Sequence, residues 1–133
     1  MSVDRRSIYV PGLSHGTVPI PTASRVGPFV ATGGIRGVDR VTGDLPDEVS
    51  EQIRLMFDNL AVTLDAAGAG LDGVLKVTVW ARSLDCREAL NEHWVRLFPD
   101  ASARPVRHLM SYDLPGRMLI QCEALAVVSE TPL

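Results

Sequence analysis

Val74-Leu75-Lys76-Val77-Thr78-Val79-Trp80-Ala81 is the stretch whose reading decides the fold. It is rich in β-branched residues and alternates, so it reads as a strand. Val77, Val79 and Ala81 project to one side, and Lys76, Thr78, Trp80 and Arg82 to the other. Helical patterns flank it. Upstream, Pro46 and Asp47 start a helix whose apolar stripe is Val49, Ile53, Met56, Phe57, Leu60 and Leu64, with Gly68 and Gly70 as its stop. Downstream, Ser83 or Asp85 caps a second helix with Leu90, Trp94, Leu97 and Phe98 on its apolar face, and Pro99 ends it.

Residues 1–27 are rich in Pro, Gly, Ser and Thr and read as a loop, with a short strand at Ser7–Val10. A loop this long in a compact domain is often functional. Pro28–Thr32 reads as a strand ending in Gly33-Gly34, and Ile35–Gly43 as a hairpin turning at Asp39 and Thr42-Gly43. Two closing strands are expected at Arg104–Met110 and Met118–Val128. Pro105 cannot donate to a ladder, which makes the first of these an edge or an irregular strand. The order is β-β-α-β-α-β-β. One mixed sheet with two helices on one face satisfies it. The other face, carrying Trp80, suits a subunit interface better than open water, so a closed homo-oligomer is expected.

A chain of 133 residues is one domain, and 46 % hydrophobic with 22 % charged residues describes an ordinary globular protein. A net charge of -3 and a pI near 5.5, with no basic run, argue against a nucleic-acid partner. No apolar stretch approaches the ~20 residues of a membrane span, and the N-terminal residues lack a signal core, so a cytoplasmic location is expected. Cys86 and Cys122 lack metal-ligand spacing and read as reduced thiols.

Chemistry concentrates in the last third. Gln121 and Glu123 share a strand face. If the segment around Arg104 pairs with that strand across the turn at Leu114-Pro115-Gly116, a fixed cation lies near an amide and a carboxylate. Guanidinium grips carboxylate in two-point geometry, so a small carboxylic acid is one occupant. A surface arginine beside an ordinary strand is the other reading.

The landmarks Thr32-Gly33-Gly34-Ile35, Val41-Thr42-Gly43, Asn59-Leu60 and Ala66 through Asp72 continue into Val74–Trp80. Leu90-Asn91-Glu92, Ala103-Arg104-Pro105, Leu114-Pro115 and Glu123 through Ala126 complete the set. In this order the chain resembles the RidA/YjgF family of reactive-intermediate deaminases over roughly residues 15–128. The resemblance implies a single RidA-like domain over residues 1–133 with a chorismate-mutase-like α+β fold. It also implies a homotrimer with clefts between subunits, hydrolysis of amino-acid-derived enamines and imines to keto acid and ammonia, and neither metal nor organic cofactor. Arg104 falls on the family's carboxylate-binding arginine, Thr32 on a serine, and Asn91 on the helix asparagine. Two positions depart from the pattern. Ile20 stands where the family has an aromatic, and Gln121 where it has the glutamate that positions the attacking water. Glutamine orients water but is no base at neutral pH.

Glu123, two residues on, supplies a replacement carboxylate or else pairs with an arginine at an interface. His108 shares a strand face with Arg104 and Val106, and enters the same pocket or packs at the surface. His15 precedes the segment expected to line the cleft. Gly33 and Gly34 bring backbone N–H groups to a ligand or make a plain tight turn. The expected activity is hydrolysis of a small carboxylate-bearing imine or enamine with altered specificity. The alternatives are an aminomuconate-deaminase-like enzyme and a non-catalytic trimer that binds keto acids.

Overall fold

The computed structural model describes residues 4–129. The elements are β1 (Arg5–Ile8), β2 (Ala23–Val26), β3 (Phe29–Thr32), β4 (Ile35–Arg36), α1 (Val49–Ala66), β5 (Val74–Ala81), α2 (Arg87–Leu97), β6 (Val106–Ser111) and β7 (Ile120–Val127). Across the sheet the strands run β1-β2-β3-β7-β5-β6, with the short β4 also paired to β7. β5 and β6 are parallel and every other pair is antiparallel. The fold is α+β with a mixed sheet, as the element order implied.

The stripe on α1 does what its spacing requires. Ile53, Met56, Phe57, Leu60 and Leu64 are buried against Val77, Val79 and Ala81 of β5 and Ile120, Cys122, Ala124 and Ala126 of β7. Burial of each such side chain is worth roughly 1.5–3 kcal/mol relative to exposure. Gly68 ends the helix at φ +83, a conformation that favours glycine. Its N–H donates to Asp65 O and that of Ala69 to Leu64 O, the paired bonds of a Schellman turn. On α2, Trp94 packs against Phe57 and Phe98. Ser83 caps a short 3-10 turn through the Asp85 N–H, and α2 itself begins at Arg87.

Three expectations are corrected. Residues 1–27 are not all loop beyond one short strand. β1 lies at Arg5–Ile8, earlier than Ser7–Val10, and β2 forms a hairpin with β3 around Gly27-Pro28. Ile35–Gly43 is not a hairpin: Ile35 pairs with Cys122 and Arg36 with Gln121. The turn beyond is real, with the Val41 and Thr42 amides donating to Asp39 Oδ1, and these bonds, Thr42's the stronger influence, hold that carboxyl below its ordinary pKa. Third, β6 and β7 do not pair, because β5 lies between them.

Polar groups fix how the 36–40 segment sits on α1. The buried Asn59 donates from Nδ2 to Arg36 O (2.9 Å) and Val38 O (2.8 Å), while its Oδ1 accepts from Arg40 Nε (3.0 Å). Asn59→Ala is expected to cost roughly 2–3 kcal/mol, because it strands two carbonyls in a buried setting. Urea denaturation measures this, and a loss below about 0.5 kcal/mol, the scatter of surface substitutions, counts against the clamp.

Candidate active site

The site is built where β3 gives way to β4. β3 holds β7 as far as Ala31↔Leu125, and β4 resumes at Ile35↔Cys122. Residues 32–34 therefore face only Glu123 and Ala124, which makes a bulge with one extra residue. Thr32 closes it: Oγ1 accepts the Ala124 N–H at 3.0 Å and donates to Gly33 O at 2.8 Å. The Thr32 hydroxyl, which stands where the family has a serine, makes both of these bonds and so holds the bulge.

Two side chains stand against the glycines. A Cβ at Gly33 would meet the His15 ring at 3.4 Å, and one at Gly34 would overlap the Gln121 amide. At Gly33 that is ordinary contact, whereas at Gly34 a Cβ would push the Gln121 amide from where it lies. His15 is set there by a built loop. Thr22 Oγ1 accepts the Val10 N–H (3.1 Å) and faces Leu13 O, Val18 N–H donates to His15 O, and Gly33 N–H donates to Thr22 O (2.9 Å). Ile20, 46 % exposed, projects from the same loop two residues before Thr22.

Glu123 lies on the open sheet face. With Ala31, Thr32, Lys76, Thr78, Ala124 and Leu125 it lines a depression of about 370 Å³. Register puts Glu123, Thr78 and His108 in one row across β7, β5 and β6. Two strand spacings, about 10 Å, separate Glu123 from His108, so they face one way without touching. Lys76 and Thr78 were not singled out from the sequence. Alternation placed them on this face, but only the β5–β7 register places them beside Glu123. Cys122, on the opposite side of β7, is fully buried, and burial, with Glu123 adding to it, pushes its thiol pKa up. It is a core sulfur, as expected.

Two expected partners are elsewhere. Arg104 precedes β6 and donates through Nε to Phe98 O (2.7 Å) and through Nη2 to Pro99 O (3.4 Å), capping the end of α2. Parallel register sets it level with Val74, whereas Gln121 is level with Trp80. Six residues of strand, roughly 20 Å, divide those levels. The expected apposition of Arg104 with Gln121 and Glu123 through strand pairing is therefore overturned within one chain, and His108 does not share a pocket with Arg104 there. Asn91 is on the exposed side of α2, where its Oδ1 accepts from Arg107 Nη2 at 2.6 Å. Arg107 in turn stacks over Trp94, its CZ 5.0 Å from the ring centroid. The structure does not bring Asn91 to the bulge.

The family model for endoribonuclease L-PSP matches residues 18–128. The chain belongs to this family, the RidA/YjgF family. Among its relatives, a RutC family protein of Pyrococcus abyssi is 32% identical over 110 residues, 81% of this chain and 85% of the relative. The 2-iminobutanoate/2-iminopropanoate deaminase of Escherichia coli K12 is 30% identical over 104 residues, 77% and 81% of the two chains. The crystal structure of E. coli TdcF with bound serine superposes with a TM-score of 0.84 at 28% identity, covering 93% of this chain and 99% of that one. The RidA/YjgF relatives thus include imine deaminases, which supports deaminase chemistry at the level of the family. Among the described residues no helix is long and apolar enough to cross a membrane.

Proposed function

We propose that this protein hydrolyses the C=N bond of a small carboxylate-bearing imine, or of the imine tautomer of an enamine, in clefts formed between the open sheet faces of a homotrimer. The observation that carries the reading is Arg104. Its guanidinium is fixed by two carbonyls, and among the described residues no carboxylate lies within 4.0 Å of it. A held guanidinium with no carboxylate in contact suits a carboxylate ligand. Because Arg104 and the bulge are far apart in one chain, they meet only if a neighbouring copy supplies one of them. The open face favours such a neighbour: Phe29 and Val106 are each 64 % exposed and Leu125 50 %, and they flank the Glu123 depression. Such a trimer completes the chorismate-mutase-like architecture.

In this mechanism Arg104 binds the substrate carboxylate. Glu123 accepts a proton from a water that attacks the imine carbon, forming a carbinolamine. Both protons of that water reach the nitrogen through Glu123, the first as the carbinolamine forms and the second from its hydroxyl, and the C–N bond breaks to release ammonia as the carbonyl forms. Water and imine give keto acid and ammonia, with no cofactor in the balance. Gln121 orients the water and the Thr32 bulge positions Gln121. The substitutions at Ile20 and Gln121 favour an acid other than the simplest alkyl imines, of which ring-derived aminomuconate-like acids are one class. A second reading, a non-catalytic binder of keto acids, is favoured by Gln121 alone.

The test is keto-acid release from 2-aminoacrylate or 2-iminobutyrate generated in situ by a dehydratase. Acceleration over the spontaneous rate is expected, and none would leave the binder reading. Native mass spectrometry is expected to show three copies, and a stable monomer at micromolar concentration removes the cleft.

A further inference from the structure

Several arginines of the fold have their charge met. Arg54 and Arg117 pair with carboxylates, and Arg82 with Asp113 and the carbonyls of Leu114, Gly116 and Met118. Arg107 has neither kind of partner. Half-buried on β6, it gives one hydrogen bond, from Nη2 to Asn91 Oδ1, a neutral acceptor. Among the described residues no carboxylate lies within 4.0 Å of it. Burial, with repulsion from Arg87 adding to it, lowers its pKa. A guanidinium nevertheless stays charged at neutral pH. The fold has thus partly withdrawn a cation from water and set it over Trp94, 5.0 Å from the ring centroid. Its Nε and Nη1 donors have no partner among the described residues and are not enclosed, so a ligand can reach them.

Arg104 is the neighbouring cation on this edge. It bonds Phe98 O at the end of α2, whereas Arg107 bonds Asn91. Asn91 and Phe98 are seven residues apart, two helical turns, so the two guanidiniums meet the same side of α2 about 10 Å apart along its axis. Trp94 joins the two points, lying under Arg107 with its ring centroid 4.8 Å from that of Phe98. Val95, half exposed, is on the same side between them.

We infer that Arg107 is a second anion anchor beside Arg104, so that the protein takes acids with a carboxylate at each end and lays the carbon chain between them along Val95. The inference rests on the proposed role of Arg104 as carboxylate anchor, while Arg107 stands on its own contacts. One diacid can bridge the gap with each end at hydrogen-bond distance from its guanidinium. A monoacid leaves the second guanidinium uncovered, the arrangement by which polar sites reject analogues lacking the group.

Isothermal titration of the full chain with stable keto acids tests this. 2-Oxoglutarate and 2-oxoadipate carry a second carboxylate, and 2-oxobutyrate does not. Wild type is expected to bind one of the diacids at least about tenfold more tightly than the monoacid, the worth of one hydrogen bond to a charged group. Arg107→Met keeps an apolar contact with Trp94 and loses the charge. It should abolish most of that preference and leave 2-oxobutyrate affinity unchanged, whereas a purely structural Arg107 would move both ligands together. Arg107→Lys, which keeps the charge, should retain part of the preference. A wild type that binds neither diacid more tightly than the monoacid, or a full preference in Arg107→Met, overturns the inference. Arg104→Ala should weaken monoacid and diacid alike. If it leaves 2-oxobutyrate binding as in wild type, the carboxylate anchor falls, while a diacid preference that Arg107→Met removes still supports Arg107 as an anion site.

Discussion

Arg104→Ala is expected to lower kcat/KM on 2-iminobutyrate by about 10²- to 10³-fold, mostly through KM. The variant removes a guanidinium that the fold holds in place, with Nε on Phe98 O and Nη2 on Pro99 O, and that has no carboxylate within 4.0 Å among the described residues. Losing one partner of a charge-assisted pair in a closed site costs roughly 2–5 kcal/mol. Loss of ground-state binding appears in KM. The same change removes two bonds to the end of α2, worth about 1 kcal/mol each at most in so exposed a place, so thermal unfolding must be followed alongside. Arg104→Lys separates the two effects. It keeps the charge without the planar fork, and is expected to recover part of the binding. An unchanged kcat/KM in Arg104→Ala would sink the anchor, whatever happens to stability.

The helices and the central strand were legible because their signals are local. Val49 through Leu64 repeat at helical spacing, Gly68 stops them, and β5 alternates cleanly. β2 was not legible: Ala23-Ser-Arg-Val26 carries little apolar pattern and lies among prolines and glycines, and its pairing to β1 and β3 makes it a strand. Partner choice was the larger loss. Leu114-Pro115-Gly116 looks like a hairpin turn, yet β7 passes beyond β6 to insert between β5 and the β3–β4 pair. That is a non-local decision that no short window contains. Arg82 holds the connection instead, bonding Leu114 O and Gly116 O and pairing with Asp113. The site inherits this division. Gln121 and Glu123 were legible as neighbours on one face, whereas Lys76 and Thr78 entered through register alone, and Arg104 left through it. The glycine pair was read as ambiguous between ligand contact and plain turn. The structure adds a third reason at Gly34 alone, where the Gln121 amide lies in the space of a Cβ.

Glu123→Gln is expected to lower kcat by about 10²- to 10⁴-fold with little change in KM, the range for losing a positioned general base. The residue is the carboxylate of the 370 Å³ depression, with the Lys76 ammonium and the Thr78 hydroxyl on the same wall. Glutamine keeps the shape and the hydrogen-bonding oxygen but cannot take the proton from water. Gln121 offers the opposing case. It sits on the same strand face, one register step away, against Gly34. If Glu123 is not the base and turnover is held down by the missing carboxylate at position 121, Gln121→Glu raises turnover by at least tenfold, a figure on the order of the lower end of general-base contributions, and Glu123→Gln leaves kcat near wild type. The pair of variants therefore assigns the base by opposite signs. A fall in Glu123→Gln with no gain in Gln121→Glu places it on Glu123, because a second carboxylate beside an ionised one raises the cost of charging both and does not improve a base already in position.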